Sequence, residues 1–281
     1  MDLHDIHQPS KQKSLIKDSQ IHLQFSNLAK TYDNQVDWDE MMMRLGKRRK
    51  DLLNRAKGRV LEISCGTGRN LKYYNKENIE KLYLSDNNKE MLSKTWEKCE
   101  SLFNKDINNK VIDNEIHVME NDDLKFSDNS FDSVVDTFGL CSCKDPVVTL
   151  KEMKRVCKKD GEILLLEHGR ANGFFKEFID KILDKSSIDH ATDWGCWWNR
   201  DIENLVKEAG LIVKEYHRYN FGTTYYIVCS KDWITIISVT PVVIWLTYGM
   251  YERFYLKKPR QVLYDENGDP VIVMTAKHKR S

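Results

Sequence analysis

Between residues 59 and 230, short apolar runs alternate with longer stretches whose apolar residues recur at helical spacing. Arg59-Val-Leu-Glu-Ile-Ser64, Lys81-Leu-Tyr-Leu-Ser-Asp86, Ile116–Glu120, Phe131-Asp-Ser-Val-Val-Asp-Thr137 and Glu162-Ile-Leu-Leu-Leu-Glu167 predict five strands. Helices are predicted from Asp39 to a stop at Gly58, from the glycine turn through Tyr74, over 88–103, and from Pro146 to about Lys158. Two more are predicted at Phe174–Lys185 and at Arg200–Ala209, the latter closed by Gly210. Leu211–Tyr219 and Thr223–Cys229 then read as two further strands. This order predicts an α/β fold: a doubly wound, seven-stranded, mostly parallel sheet with helices on both faces and one antiparallel edge strand.

The ends of the chain break the alternation. Residues 1–30 are polar and irregular, an extension expected to lie on another surface. Ile234–Tyr251 is an uncharged run of 18 residues, ITIISVTPVVIWLTYGMY. As a helix it would span about 27 Å, close to the hydrocarbon core of a thin bilayer. Trp233, Tyr248 and Tyr251 stand where aromatic belts form, and Pro241 should kink it. A helix buried against a partner and a strand pair in the core are the rival readings. The expected organisation is therefore an extension over 1–30, a domain over 31–230, a transmembrane or partner-buried helix over 233–252, and a basic tail over 253–281. Within that tail, Tyr264-Asp-Glu-Asn-Gly268-Asp-Pro reads as a turn between two short strands.

Composition narrows the function classes. With 281 residues, 41% hydrophobic and 31% charged, the chain has ample material for a core. Its 44 Lys+Arg against 43 Asp+Glu leave a net charge of +1, which gives no general reason to bind nucleic acid. Seven cysteines include no C-x-x-C pair, and Cys141-Ser142-Cys143 is too tight for the usual zinc spacing, so reduced thiols and no metal are expected. HExxH, P-loop and GxSxG patterns are absent, which takes most of the support from the metalloprotease, NTPase and α/β-hydrolase readings. No secretory signal opens the sequence.

The turn after the first strand is where a doubly wound sheet binds ligands. It reads Glu62-Ile-Ser64-Cys-Gly66-Thr-Gly68-Arg-Asn, and the two glycines let the backbone approach a ligand. Asp86 closes the second strand 20 residues after Gly66, a spacing that suits a carboxylate accepting from ribose hydroxyls. Leu71 stands where a dinucleotide site needs a third glycine, and Glu62 opposes a phosphate but suits a cationic amino-acid moiety. NAD and FAD are disfavoured.

At these residues the chain resembles the class I S-adenosylmethionine-dependent methyltransferases. The first motif of that family matches at Glu62, Gly66 and Gly68 and departs at Ser64, where a glycine is usual. Leu124-Lys-Phe126-Ser-Asp-Asn-Ser-Phe131-Asp132 and the Lys159-Asp-Gly161 turn resemble the ubiquinone/menaquinone methyltransferase group. The likeness is closer still to its fungal mitochondrial inner-membrane branch. It rests there on Thr31-Tyr32-Asp33, the Arg48-Arg49 helix, Leu61–Asn70, Glu167-His-Gly169 and Cys196-Trp-Trp-Asn-Arg-Asp201. It covers about residues 31–229, roughly seven tenths of the chain.

The resemblance implies a Rossmann-like fold and S-adenosylmethionine or S-adenosylhomocysteine as cofactor. It puts Glu62 near the methionine amino group, Asp86 at the ribose, and Glu120 and Asn121 beside the adenine, with Asn87 among the cofactor-binding residues. Ser64, Gly66, Gly68 and Thr137 would complete the cofactor set, with Phe138 next to Thr137 at the methyl-transfer pocket. His168, just past the fifth strand, is the candidate general base, and a structural histidine bonded to a loop carbonyl is the alternative. Trp194, Trp197 and Trp198 either cap an apolar acceptor or pack their loop on the sheet. Lys47-Arg48-Arg49-Lys50 reads as a solvated helix face.

Two functions follow. One is a membrane-anchored methyltransferase acting on a small or lipophilic acceptor. The other is a methyltransferase-fold structural subunit of a mitochondrial membrane complex, with weak or no catalysis; Ser64 and Lys125 favour it. Arg253, Lys257, Lys258 and Arg260 put the tail on the matrix or cytosolic side of a membrane and the domain opposite. That orientation favours the mitochondrial inner membrane, while Lys277-His-Lys279-Arg-Ser281 offers the endoplasmic reticulum as the alternative.

Overall fold

In the computed structural model of the protein, residues 18–103 and 112–232 are described, together with short strands at 263–264 and 270–271. The chain divides into one unit through Trp233 and a second from Ile234.

Among the described residues, three helices precede the sheet: α1 (Asp18–Leu28), α2 (Tyr32–Met42) and α3 (Leu45–Leu53). The predicted single helix from Asp39 is thus two, parted at Arg44, whose φ of 56° lies in the left-handed region and breaks the helical ladder. The sheet strands are β1 (Gly58–Glu62), β2 (Ile79–Asp86), β3 (Asp113–Val118), β4 (Phe131–Thr137), β5 (Cys157–His168), β6 (Ile212–Tyr219) and β7 (Thr224–Ser230). Between them lie α4 (Lys89–Phe103), α5 (Pro146–Val156), α6 (Lys176–Trp194) and α7 (Ile202–Glu208). Asp145 caps α5 by accepting from Val148 N, with Pro146 in the first turn, and Asp201 caps α7 by accepting from Asn204 N.

The strand order is β3-β2-β1-β4-β5-β7-β6. The first five are parallel, and β7 runs antiparallel to both neighbours. The antiparallel strand is therefore not at the edge, as expected, but inserted between β5 and β6. The β6–β7 hairpin places its second strand beside β5, so its first strand forms the edge.

Both faces of the sheet are apolar. Leu61, Val134, Ile163 and Leu165 enter one core cluster, while Val60, Val135, Leu164 and Leu166 enter the other. That alternation explains the near-continuous apolar runs in sequence, since a parallel sheet covered on both sides needs no polar face. Only a 3₁₀ turn, Leu71–Tyr73, follows the glycine loop, where a helix through Tyr74 was expected. Asn70 and Tyr74 are instead turned towards the buried Glu62, and that polar pairing takes precedence over a continuous helix.

The extension expected to be irregular is helical over α1, which packs against α6 and α4 of the same unit. In the second unit, β8 (Leu263–Tyr264) pairs antiparallel with β9 (Pro270–Val271). No helix among the described residues is long and apolar enough to cross a membrane, and Ile234–Tyr251 lies outside the described residues.

Candidate active site

A cleft of about 940 Å³ opens over the carboxyl ends of the parallel strands, within the size range of cofactor and substrate sites. Glu62, Ser64, Gly66, Asp86, Asn87, Glu120, Asn121, Thr137 and His168, all expected from sequence, border it. Gly68 stands just behind. Its φ is 74°, and a Cβ would meet Leu71 Cδ1 at 2.8 Å and Thr95 Oγ1 at 3.1 Å, so only glycine fits.

Asp86 holds the loop and keeps acceptor capacity for a ligand. Its Oδ2 accepts from Gly66 N and its Oδ1 from Asn88 N, both at 2.9 Å, which leaves each oxygen a further lone pair. Burial pushes its pKa above the usual carboxylate value, and the two backbone donors oppose that. Asn87 Nδ2 donates to Glu120 Oε2 at 3.0 Å, joining the β2 and β3 ends. Asn121 Nδ2 donates to Ser64 Oγ at 2.8 Å. Ser64 itself has φ 47°, the left-handed conformation that a glycine adopts without strain. The backbone of the motif is kept although the residue differs.

Glu62 is placed otherwise than a direct ligand contact needs. It is 2% exposed, and its two oxygens accept from Asn70 Nδ2 (2.9 Å) and the Tyr74 hydroxyl (2.6 Å). Burial drives its pKa up to about 7 against the pull of those donors and of Arg49. Thr137 belongs to the same network, its Oγ1 accepting from Arg49 Nη1 at 2.7 Å and Asn70 Nδ2 at 2.9 Å.

Arg49 overturns the reading of residues 47–50 as a solvated face. It is 4% exposed, donates to Asn70, Thr137 and Glu40, and lies 5.0 Å from the centre of the Phe138 ring. Arg48 sits 3.6 Å over the Tyr219 ring. Glu40 bridges Arg49 (2.7 Å) and Arg69 (2.8 Å), which together hold its pKa below the usual range despite burial. Asp33 accepts from Thr67, Arg69 and Lys98. Through these ion pairs α2 and α3 are tied to the cofactor loop. Sequence reasoning missed Glu40, Arg49 and Arg69 as site residues. The apolar minority on the Lys-Arg-rich helix was the available signal, since Leu45, Leu52 and Leu53 share their buried side with Arg49.

The N-terminal helix covers one end of the cleft. Ile21, His22 and Phe25 line it, and His22 Nε2 lies 3.2 Å from Asn87 O. Val36, Met43, Phe138, Leu183, Trp194 and Trp198 give the cleft an apolar and aromatic wall. Of the three tryptophans singled out, Trp197 is buried, whereas Trp194 and Trp198 face the cleft. Trp198 stacks on His190 at 3.8 Å and donates from its indole nitrogen to Leu183 O. His168 Nε2 stands 2.9 Å from Cys196 Sγ, so its partner is a thiol and not a loop carbonyl. Behind it, burial raises the pKa of Asp136, as does the charge of Cys141, and burial with the charge of Asp136 raises that of Glu167; the pair thus favours a protonated state.

The comparisons with known proteins agree with this geometry. Residues 61–165 match the family model described as a methyltransferase domain. This is a class I S-adenosylmethionine-dependent methyltransferase domain. The chain is 35% identical over 216 residues to Methyltransferase OMS1, mitochondrial, of Saccharomyces cerevisiae, covering 74% of this chain and 45% of that one. It is 31% identical over 161 residues to the demethylmenaquinone methyltransferase of Staphylococcus haemolyticus, covering 54% and 62%. It thus spans about half the length of the first relative and under two thirds of the second. The fold is also similar to a SAM-dependent methyltransferase of Leishmania major, with TM-score 0.56 at 14% identity over 81% of this chain and 86% of that one.

The cleft fits the cofactor of this family. Asp86 retains lone pairs for two ribose hydroxyls, and the Gly66-Gly68 loop keeps the backbone free of side chains. Glu120 and Asn121, whose Oδ1 is buried without a hydrogen-bond partner, border the same cleft and would be available to a base.

Proposed function

We propose that the protein is a membrane-anchored mitochondrial methyltransferase acting on a small, lipophilic acceptor. The observation that carries this reading is the mixed lining of the cleft, which combines acidic and amide groups with aromatic and aliphatic ones. Asp86, Asn87, Glu120 and Asn121 make one end suited to a nucleoside, while Phe138, Leu183, Trp194 and Trp198 make the other suited to an apolar ring or chain. When bound, S-adenosylmethionine supplies an electrophilic methyl group on a sulfonium. The protein's own part is to hold the two reactants in line, exclude water and, where the acceptor carries a proton, provide a place for it. Asp86 orients the ribose, the Arg49–Asn70–Thr137 network fixes the floor, and the tryptophans exclude water. His168, which borders the cleft, is the candidate base for that proton.

The relatives' names support the acceptor class and the location, since one is a demethylmenaquinone enzyme and another is mitochondrial. Phe174, Phe175, Phe178 and Ile182 form an exposed apolar stretch at the start of α6, with Phe174 97% exposed. Such a stretch suits contact with a membrane from which an apolar acceptor is drawn. Ile234–Tyr251 would supply the anchor in the inner membrane, with the domain on the intermembrane-space side. Engagement of both Glu62 oxygens favours the second reading, a structural subunit that retains the fold with little catalysis.

Two experiments test the proposal. Incubating the full chain with methyl-labelled cofactor and a mitochondrial lipid extract should label a lipid-soluble product; absence of any label in that extract would favour the structural reading. Alkaline carbonate extraction should leave the chain in the membrane pellet, and its release into the supernatant would remove the anchor.

A further inference from the structure

Three donor side chains converge at the acceptor end of the cleft from separate loops. Cys141 lies in the loop after β4, His168 ends β5, and Cys196 follows the Gly195 that terminates α6. Their ligating atoms, two sulfurs and one imidazole nitrogen, all lie within 4.8 Å of one another. Both cysteines are buried, His168 is half-buried, and all three border the cleft.

The donors are held in place by contacts that do not depend on them. Trp197 N donates to Cys141 O at 3.0 Å, tying the first loop to the third. His168 is paired across the sheet with Thr224 of β7. His190 Nδ1 lies 3.0 Å from Cys196 O, and the Phe138 ring stands edge-on to His168 at 5.4 Å. A ligand entering the cluster therefore finds it largely ordered.

We propose that Cys141, His168 and Cys196 bind one divalent, thiophilic cation of the zinc type, with its fourth coordination position open to the cleft. Two thiolates and an imidazole favour zinc over the oxygen-seeking magnesium and calcium. Three protein ligands with one open position is the pattern of a reactive zinc site, whereas structural sites close with four. Tetrahedral bonds of about 2.3 Å to sulfur and 2.0–2.1 Å to nitrogen place the donors roughly 3.5–3.8 Å apart. The 2.9 Å between Cys196 Sγ and His168 Nε2 must then widen by about half an ångström, within reach of side-chain rotation. The open position would take a water or a heteroatom of the acceptor. The site goes beyond the acceptor proposal and does not depend on it.

The test uses the reduced, untagged full chain loaded with Zn²⁺ or Co²⁺ and freed of excess metal by gel filtration. About one zinc per chain should remain. The cobalt form should show thiolate-to-metal charge-transfer bands and the intense visible bands of a tetrahedral site. Cys141→Ser and Cys196→Ser should remove those bands and weaken zinc retention by more than the ~10–100-fold that loss of an orienting neighbour costs. Cys99→Ser, buried in α4 away from the cluster, should change neither. Titration with S-adenosylhomocysteine reports whether each variant is folded. The cobalt spectrum of the unsubstituted chain is decisive even if the serine variants do not fold. Loss of the metal on gel filtration, a cobalt spectrum without charge transfer, or undiminished zinc in Cys141→Ser would overturn the site. So would a Cys141–Cys196 disulfide in place of bound metal.

Discussion

The two ends of the cleft are built differently. At the cofactor end the ligand groups come from consecutive strand ends, and much of the work is done by backbone: Gly66 and Gly68 at positive φ, and Asp86 pinned by two main-chain N–H groups. At the end proposed for the acceptor the groups come from three distant loops, and side chains would do the work. A backbone-built site tolerates Ser64 for Gly because what it needs is a conformation. A side-chain-built site has no such freedom, and its specificity changes with each residue. Substitutions should accordingly separate the two ends.

The largest separation is expected at His168. His168→Ala should reduce turnover by about 10²–10⁴-fold while S-adenosylhomocysteine affinity changes by less than about twofold. A parallel loss of cofactor affinity, measured by calorimetry, would mean that the ends are not separable. Arg49→Ala joins them from beneath. It strips Glu40, Asn70 and Thr137 of a buried donor and should lower unfolding free energy by about 3 kcal/mol in denaturant titration. Arg49→Lys should recover little of it, because one ammonium cannot reproduce the guanidinium fork. No change in midpoint would return Arg49 to the surface.

A smaller effect with a characteristic pH dependence belongs to Glu62. Its pKa of about 7 in the fold exceeds the ordinary 4.5, so the folded chain holds a proton that the unfolded chain has released between those values. Stability should therefore fall as pH rises from about 4.5 to 7 and then level off. Glu62→Gln lacks this slope, and the Tyr74 hydroxyl can turn to accept from the new amide. The variant should gain roughly 2–3 kcal/mol relative to the parent at pH 8 and almost nothing at pH 4, as read from thermal melts across pH. A pH-independent difference would contradict the burial argument.

The same contrast between ends explains what could be read beforehand. Strand positions were legible because β4 and β5 bury both faces and show continuous apolar runs, and the motif loop was legible because its residues are local. Arg49 was not, because charge pattern alone cannot tell a solvated cation from one buried against Glu40. The missing helix after Asn70 follows from the pairing of Asn70 and Tyr74 with Glu62. Burial of the extension on the cleft depends on contacts such as His22 with Asn87, 65 residues apart. Cys141, His168 and Cys196 carry no shared spacing, the last two being 28 positions apart, so no motif announces them.

Calorimetric titration of S-adenosylhomocysteine into the parent chain and Asp86→Ala tests the central claim most directly. Removing the carboxylate deletes charge-assisted acceptors at the ribose and should weaken binding by about 1.5–3 kcal/mol. Thermal melting should show the variant still folded. No binding by the parent chain, or equal affinity in the folded variant, would contradict the assignment of this cleft to the cofactor.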